Sequence, residues 1–273
     1  MCSSSLKWAV LATIFLSLPT EARELRVCAD PNNLPFSNDK EEGFENRIAE
    51  LIAGDLRATV SYVWYAQRRG FLRETLKAER CDVVMGLPSN MEGVRTTAPY
   101  YRSSYVFVTR DGEPEVASFN DEALRHRVVG VQLVGDDGWN TPPAHALSRR
   151  GIVDNVRGYP LYGDYRSPNP PARIIQAVAE REIDVAVVWG PLAGYFSSRQ
   201  TVPLRFNPVR PQFDGPKLPM VWDISVAVRR DDEMLHQEID AAITHHRSEI
   251  DAILSEYGMP RLDGASQQAE VAR

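Results

Sequence analysis

Apolar and polar residues alternate along the chain in blocks that read as strands and helices in turn. "LRVCAD" (25–30) reads as a short strand, and "PNNLPFSNDKEEG" follows as a turn-rich loop. "FENRIAELIAGDL" then carries apolar residues at helical spacing, with Phe44, Ile48, Leu51 and Ile52 on one face and Gly54 as a natural stop. "TVSYVWYA" (59–66) returns as a strand. Strand, loop, helix and strand in that order predict a parallel sheet, since parallel neighbours need a crossover. The next unit repeats the outline. "FLRETLKAER" places Phe71, Leu72, Thr75 and Leu76 on one helical side, and "CDVVMGLP" (81–88) is an apolar strand ending in a Gly-x-Pro turn.

The same order recurs in "ARIIQAVAEREIDVAVVWGP" (172–191), with Asp184 standing where Asp82 stands in the earlier unit. The recurrence suggests two similar lobes. "SSYVFVTR" (103–110) and "WDISVAVRR" (222–230) are long β-type segments that bracket the middle of the chain. Two such crossings predict a two-strand hinge, with one lobe from 23–108 plus 223–262 and the other from 109–222. The stretch from Asp231 to Gly258 predicts a C-terminal helical region with Ile239, Ile243, Ile250 and Leu254 as its stripe, followed by a polar tail over 263–273.

The first 22 residues differ in kind. Lys7, the apolar "WAVLATIFLSL" and the small residues of "TEA" predict a cleavable secretory signal over 1–22 and a mature chain in the periplasm. The apolar run is too short to span a bilayer. With 31 Lys plus Arg against 37 Asp plus Glu, the net charge of -6 argues against nucleic acid, which calls for a basic stripe. No basic amphipathic stretch suggests membrane insertion. Cys2 leaves with the signal, so Cys28 and Cys81 remain in an oxidising compartment. A disulfide between them and two separate buried thiols both stay open, because both cysteines fall on predicted strands whose pairing need not meet disulfide geometry.

No nucleophile elbow, phosphate loop or dinucleotide fingerprint is present, so the sequence predicts no catalytic set and no cofactor. Asp137, Asp164 and Asp223 are the acid/base candidates that an enzyme on this fold, such as a dehydratase or lyase, would have to use. His245 and His246 are helix neighbours expected to point in different directions, and "GDDGWN" (135–140) lacks calcium-loop spacing, so no metal site is expected. The aromatics Trp64, Tyr65, Tyr100, Tyr101, Trp139, Tyr162, Tyr165, Trp189 and Trp222 fall at strand ends or beside them. Gathered there, they predict a cleft with apolar or amphipathic walls. Asn32, Asn33, Leu34 and Phe36 of "PNNLPF", Gly86 and Leu87, Thr141, Asp164 and Gly190 complete the expected lining, with Arg68 and Arg69 at the mouth.

The stretches "RVCADPNNLPFSN", "GFENRIAELIA", "QRRGF", "CDVVMG", "PYYRSSYVFV", "GDDGWNTPPAHAL", "RGIVDNVRGY", "YGDYRSPNPPARI", "DVAVVWGPLAGYF" and "YGMP" together resemble a periplasmic solute-binding protein. The resemblance spans residues 25 to 262 and is narrowest with the methanol-dehydrogenase-associated MoxJ/XoxJ type. It implies an α/β fold of the two-lobed type II kind, two parallel-type sheets joined by a two-strand hinge. It also implies a non-catalytic accessory role, with a PQQ-containing quinoprotein methanol dehydrogenase and its cytochrome c as partners. The cleft would take a small apolar ligand or a peptide segment. Amino-acid-binding relatives hold the ligand carboxylate with an arginine shortly before "PY" and the ammonium with an acidic residue at the tip of the strand that here reads "DVAVVWGP". In this chain the first place falls near Asn90, with Arg95 too close to Pro99, and the second falls at Gly190. The amino-acid clamp is therefore expected to be missing. An ordinary transport receptor, handing a small solute to a membrane permease, is the other reading.

Overall fold

The computed structural model describes residues 23–134, 140–161, 165–260 and 262. The expected signal (1–22), the tail (263–273), and Asp137, Trp139, Tyr162 and Asp164 lie outside the described residues. In chain order come β1 (Arg23–Ala29), a small hairpin of β2 (Asn32–Asn33) and β3 (Ser37–Asn38), α1 (Phe44–Asp55), β4 (Ala58–Trp64), α2 (Phe71–Glu74), β5 (Val83–Pro88) and β6 (Arg95–Thr96). β7 (Tyr101–Arg110) leads into β8 (Val129–Leu133), α3 (Pro142–Arg149), β9 (Val156–Pro160), α4 (Arg173–Ala179), β10 (Val185–Trp189), α5 (Gly190–Ser197) and β11 (Leu204–Pro208). β12 (Val221–Val228) returns the chain to the first half, which α6 (Glu233–His245) and α7 (Arg247–Glu256) complete.

The main ladder runs β4-β1-β5-β12-β7-β10-β8-β9, with β6 on β12 and β11 on β7. Pairing is parallel in β4-β1-β5 and in β10-β8-β9, and antiparallel where the long strands meet. The two expected sheets are thus joined into one path, because β7 and β12 pair with each other from Tyr101↔Ile224 to Ser104↔Val221. At Tyr105 the partner changes. Its N–H donates to Met220 O at 2.8 Å, its carbonyl accepts from Val209 N at 3.0 Å, and β7 then runs between β10 and β11.

Each half buries apolar side chains on both faces of its sheet. On β5, Val83 and Met85 face the layer of α1, α6 and α7, while Val84 and Leu87 face Phe71 and Leu76. On β10, Ala186 and Val188 pack under α4 and α5, while Val185 and Val187 pack on the α3 side. Burial on both faces is why these strands read as unbroken apolar runs. The recurrence seen in the sequence has a local counterpart. Asp82 N donates to Arg26 O at 2.8 Å and Asp82 Oδ2 accepts from Arg26 N at 3.1 Å. Asp184 N donates to Val128 O at 2.9 Å and Asp184 Oδ2 accepts from Val128 N at 2.8 Å.

Two local expectations need correction, and one question that the sequence leaves open is settled. The helix expected over "FLRETLKAER" is α-helical only at Phe71–Glu74 and passes at Thr75 into a tighter turn over Leu76–Ala78. Buried Thr75 turns its hydroxyl back to Phe71 O at 2.6 Å, a bond that competes with the helical ladder. The C-terminal region breaks at His246 (φ -97°, ψ 24°) into α6 and α7, so His245 and His246 do not diverge as they would on one helix. Cys28 and Cys81 are disulfide-bonded with Cα atoms 5.6 Å apart. The geometric objection falls away because β5 begins at Val83, leaving Cys81 just before the strand and free of its register. No helix among the described residues is long and apolar enough to cross a membrane.

Candidate functional site

The carboxyl ends of the parallel strands in both halves open on a cleft of about 480 Å³. Asp30 follows β1, Gly86 to Pro88 end β5, Gln132 lies near the end of β8, Leu161 follows β9, and Trp189 ends β10. Ligands of open α/β sheets gather at such strand ends. Asn32, Asn33, Phe36 and Gln67 close one wall; Tyr165, Pro171 and Leu192 close the other; Tyr105 lies where β7 changes partner. Among these described lining residues there is no arginine or lysine.

The tip of β10 answers to packing. Trp189 caps α5, and Pro191 sits in the first turn, where its missing N–H leaves no bond unmade. The Trp189 indole meets Tyr105 and Trp222 edge-on at 5.4 and 5.7 Å between centroids. Gly190 begins α5 against the long strands. A Cβ there would lie 2.7 Å from Ser103 Oγ and 2.8 Å from Ser104 O, with Pro260 Cγ at 3.2 Å. A side chain able to reach an ammonium has no room at this position.

One carboxyl lines the cleft and a second lies behind it against Gly86, and neither was in the expected set. Asp30 is 4% exposed and is held by Asn32 N at 2.9 Å, Gln67 N at 2.7 Å and the Tyr165 hydroxyl. Glu45, in the first turn of α1, lies over Gly86, where a Cβ would come within 2.0 Å of its Oε1. A register shift of one residue between β5 and β12 bends the strand here. Glu45 keeps part of its surface open, but protein crowds it at longer range. Burial, seconded by the nearby Asp30, pushes its carboxyl up to about 8. Burial and the bond to Asp30 also raise the Tyr165 hydroxyl.

Of the expected residues, Asn32, Asn33, Phe36, Gly86, Leu87 and Trp189 line the cleft together. Leu34 is buried in the second half's core beside Ala172 and Leu192. Tyr100 and Tyr101, 0% and 2% exposed, are core residues and do not line it; their "PY" segment runs into the long β7, which is buried on both faces. Trp64 stacks on Tyr62 and Tyr65 packs near Phe71, both away from the lining. Trp222 backs the cleft through Trp189 and Tyr105, and Thr141 stands behind Gln132, donating to its carbonyl at 2.6 Å. Arg68 sits 5.1 Å over the Tyr165 ring at the mouth, and Arg69 is exposed. Asn90 lies in an exposed turn and Arg95 donates to Arg230 O, so neither reaches the cleft. Asp223 is paired across the strands with Arg102 at 3.3 Å. Sequence reasoning missed Asp30, Gln67, Tyr105 and Gln132. The rule that ligands meet the carboxyl ends of parallel strands would have found Asp30.

Comparison with known proteins agrees with this geometry. The family described as bacterial extracellular solute-binding proteins, family 3, matches residues 25–260. Protein MoxJ of Methylorubrum extorquens is 35% identical over 258 residues, covering 89% of this chain and 83% of that one. The crystal structure of the periplasmic binding protein XoxJ from Methylobacterium extorquens AM1 is 33% identical with a TM-score of 0.71, covering 88% of this chain and 100% of that one. MxaJ from Methlophaga aminisulfidivorans MPT is 27% identical with a TM-score of 0.76, covering 87% and 100%. A chain matched over nearly its whole described length, with its strand tips arranged around one cleft, belongs to the family 3 bacterial extracellular solute-binding proteins and, within them, to the MoxJ/XoxJ type.

Proposed function

We propose that the protein is a non-catalytic periplasmic accessory of a quinoprotein methanol dehydrogenase system. Its cleft receives an apolar or amphipathic segment of the dehydrogenase or of its cytochrome c. The observation that carries this reading is the lining itself: Phe36, Leu87, Pro88, Tyr105, Leu161, Pro171, Trp189 and Leu192 supply apolar wall, with no cationic side chain among the described lining residues, while Arg68 lies over the Tyr165 ring. A zwitterion would lack both a guanidinium for its carboxylate and, at Gly190, room for an acid to meet its ammonium. The likeness to MoxJ and XoxJ supports the partner. Closure of the halves on a bound segment would favour one state of the partner, since a ligand shifts an equilibrium by its differential affinity.

A transport receptor is the second reading. A volume of about 480 Å³ suits a small molecule, and Asp30 could meet a hydrogen-bond donor. Pull-down from periplasm with the oxidised mature chain separates the two. The accessory reading expects recovery of the dehydrogenase, lost with Trp189→Ala, and no tight small ligand. Micromolar binding of one defined metabolite, without the dehydrogenase, would establish the receptor instead.

A further inference from the structure

One cluster of metal-type donors lies apart from the cleft. Asp55 ends α1, and His245 and His246 stand at the junction of α6 and α7. Adjacent residues of a continuous helix point about 100° apart. The break at His246 cancels that divergence, and the two rings lie 4.4 Å apart with a 36° tilt. Both address one oxygen: His245 Nδ1 is 2.9 Å from Asp55 Oδ1, and His246 Nε2 is 3.3 Å from it. All three donor atoms lie within 4.8 Å of one another. Two bonds of about 2.1 Å at a tetrahedral angle place their donors about 3.4 Å apart, so small side-chain rotations bring this set onto one ion.

The far nitrogen of His246 supplies a second observation. Nδ1 faces Glu249 Oε1 at 3.4 Å, from the first turn of α7. A carboxylate that accepts from one ring nitrogen of a histidine leaves the other nitrogen as a lone pair and fixes the ring's orientation. His246 and Asp55 side chains are 17% and 29% exposed, and His245 is 69% exposed, so the cluster is anchored on its inner side and open to solvent on the other. α1 has 12 residues, which puts Asp55 about 15 Å from the Glu45 end that lies behind the cleft.

We propose that Asp55, His245 and His246 bind a single divalent transition-metal ion of the zinc, nickel or copper class, with Glu249 orienting His246 and a fourth position open. Two imidazoles and one carboxylate suit these borderline cations, whereas calcium and magnesium ask for oxygen donors throughout. The site ties the end of α1 to the α6–α7 junction, so the ion adds stability by mass action.

Calorimetric titration of zinc chloride into the untagged, disulfide-oxidised mature chain tests it. One equivalent should bind with micromolar affinity and raise the melting temperature by a few degrees, while calcium gives no heat. His246→Ala and Asp55→Ala should each weaken zinc by 10-fold or more, and Glu249→Gln by about 10-fold. His245→Ala removes an exposed ring and leaves folding intact, so it guards against loss through misfolding. A parent chain that takes up no zinc below millimolar concentration overturns the proposal. So does unchanged affinity in the folded His245→Ala variant.

Discussion

Glu45 stands in the first turn of α1, where the aligned N–H groups of a helix ordinarily favour a negative charge, yet its carboxyl is pushed up to about 8. Burial outweighs the helix, and Asp30 adds to it with a second carboxyl nearby. The folded state therefore holds this proton more tightly than the unfolded chain. Its contribution to stability is fully present below the ordinary carboxyl value of 4.5 and is lost as pH rises toward 8. Glu45→Gln keeps the shape without the charge. It should be more stable than the parent by roughly 2–4 kcal/mol at pH 8 and equal to it near pH 4, because each tenfold difference in proton affinity between the folded and unfolded chain is worth about 1.4 kcal/mol. Urea unfolding across that range checks the sign: a gap that stays constant with pH, or that favours the parent at pH 8, refutes it. Gly190 shows the opposite case at the same scale. Its lack of a side chain, which the sequence presents as a missing ammonium partner, is imposed by Ser103, Ser104 and Pro260.

At the scale of elements the two halves share one device. A strand end meets an aspartate whose backbone and carboxylate both bond the neighbouring strand, at Asp82 and again at Asp184. An arginine from the end of the long antiparallel strand reaches each. Arg229 bonds Cys81 O and pairs with Asp82 at 3.2 Å, and Arg110 bonds Ile183 O and pairs with Asp184 at 3.5 Å. The first half adds the disulfide, which crosses 53 residues and sits among Phe71, Leu76 and Val84. Closing a loop of that length gives a chain-entropy ceiling of about 4 kcal/mol, and measured bridges fall at or below such ceilings. Cys28→Ala with Cys81→Ala should therefore lower stability by roughly 2–4 kcal/mol, and reductant should shift the denaturation midpoint of the parent but not of the variant. A parent midpoint indifferent to reductant would remove the bridge from the account. Strands buried on both faces, such as β5 and β10, were legible as apolar runs, and so were the long β7 and β12. β9 and β11 were not, because "VRGYP" is mostly exposed, "LRFNP" is only half-buried, and both mix charge with proline, the composition of ladder edges.

Across the whole molecule, the sequence shows nine aromatics at or beside strand ends, but only Tyr165 and Trp189 of the seven described ones line the cleft. An aromatic at a strand end reads the same whether it points into the core, as Tyr100 does, or lines the opening, as Trp189 does. The residues that span the halves were less visible still, since each contact joins positions far apart in sequence. Tyr165 bonds Asp30, Asn32 Nδ2 donates to Ser167 O at 2.9 Å, and Arg68 lies over the Tyr165 ring. On another side Tyr257 stacks on Tyr195 at 5.6 Å, and Ser103 donates to Pro260 O at 3.1 Å. The second set is packing between buried or half-buried groups, while the first is a few polar bonds at the mouth, so the mouth is where the halves part at least cost. Tyr165→Phe removes the hydroxyl and keeps the ring under Arg68. Asp30 retains Asn32 N and Gln67 N, so the loss is one charge-assisted bond of about 1–3 kcal/mol, and the melting temperature should fall by only a few degrees. Acrylamide should then quench tryptophan fluorescence more strongly than in the parent. The increase should be smaller in a Trp189→Phe background, because Trp189 lines the cleft whereas, among the other described tryptophans, Trp64 and Trp222 do not. Unchanged quenching in Tyr165→Phe would mean that the packed side alone holds the halves together.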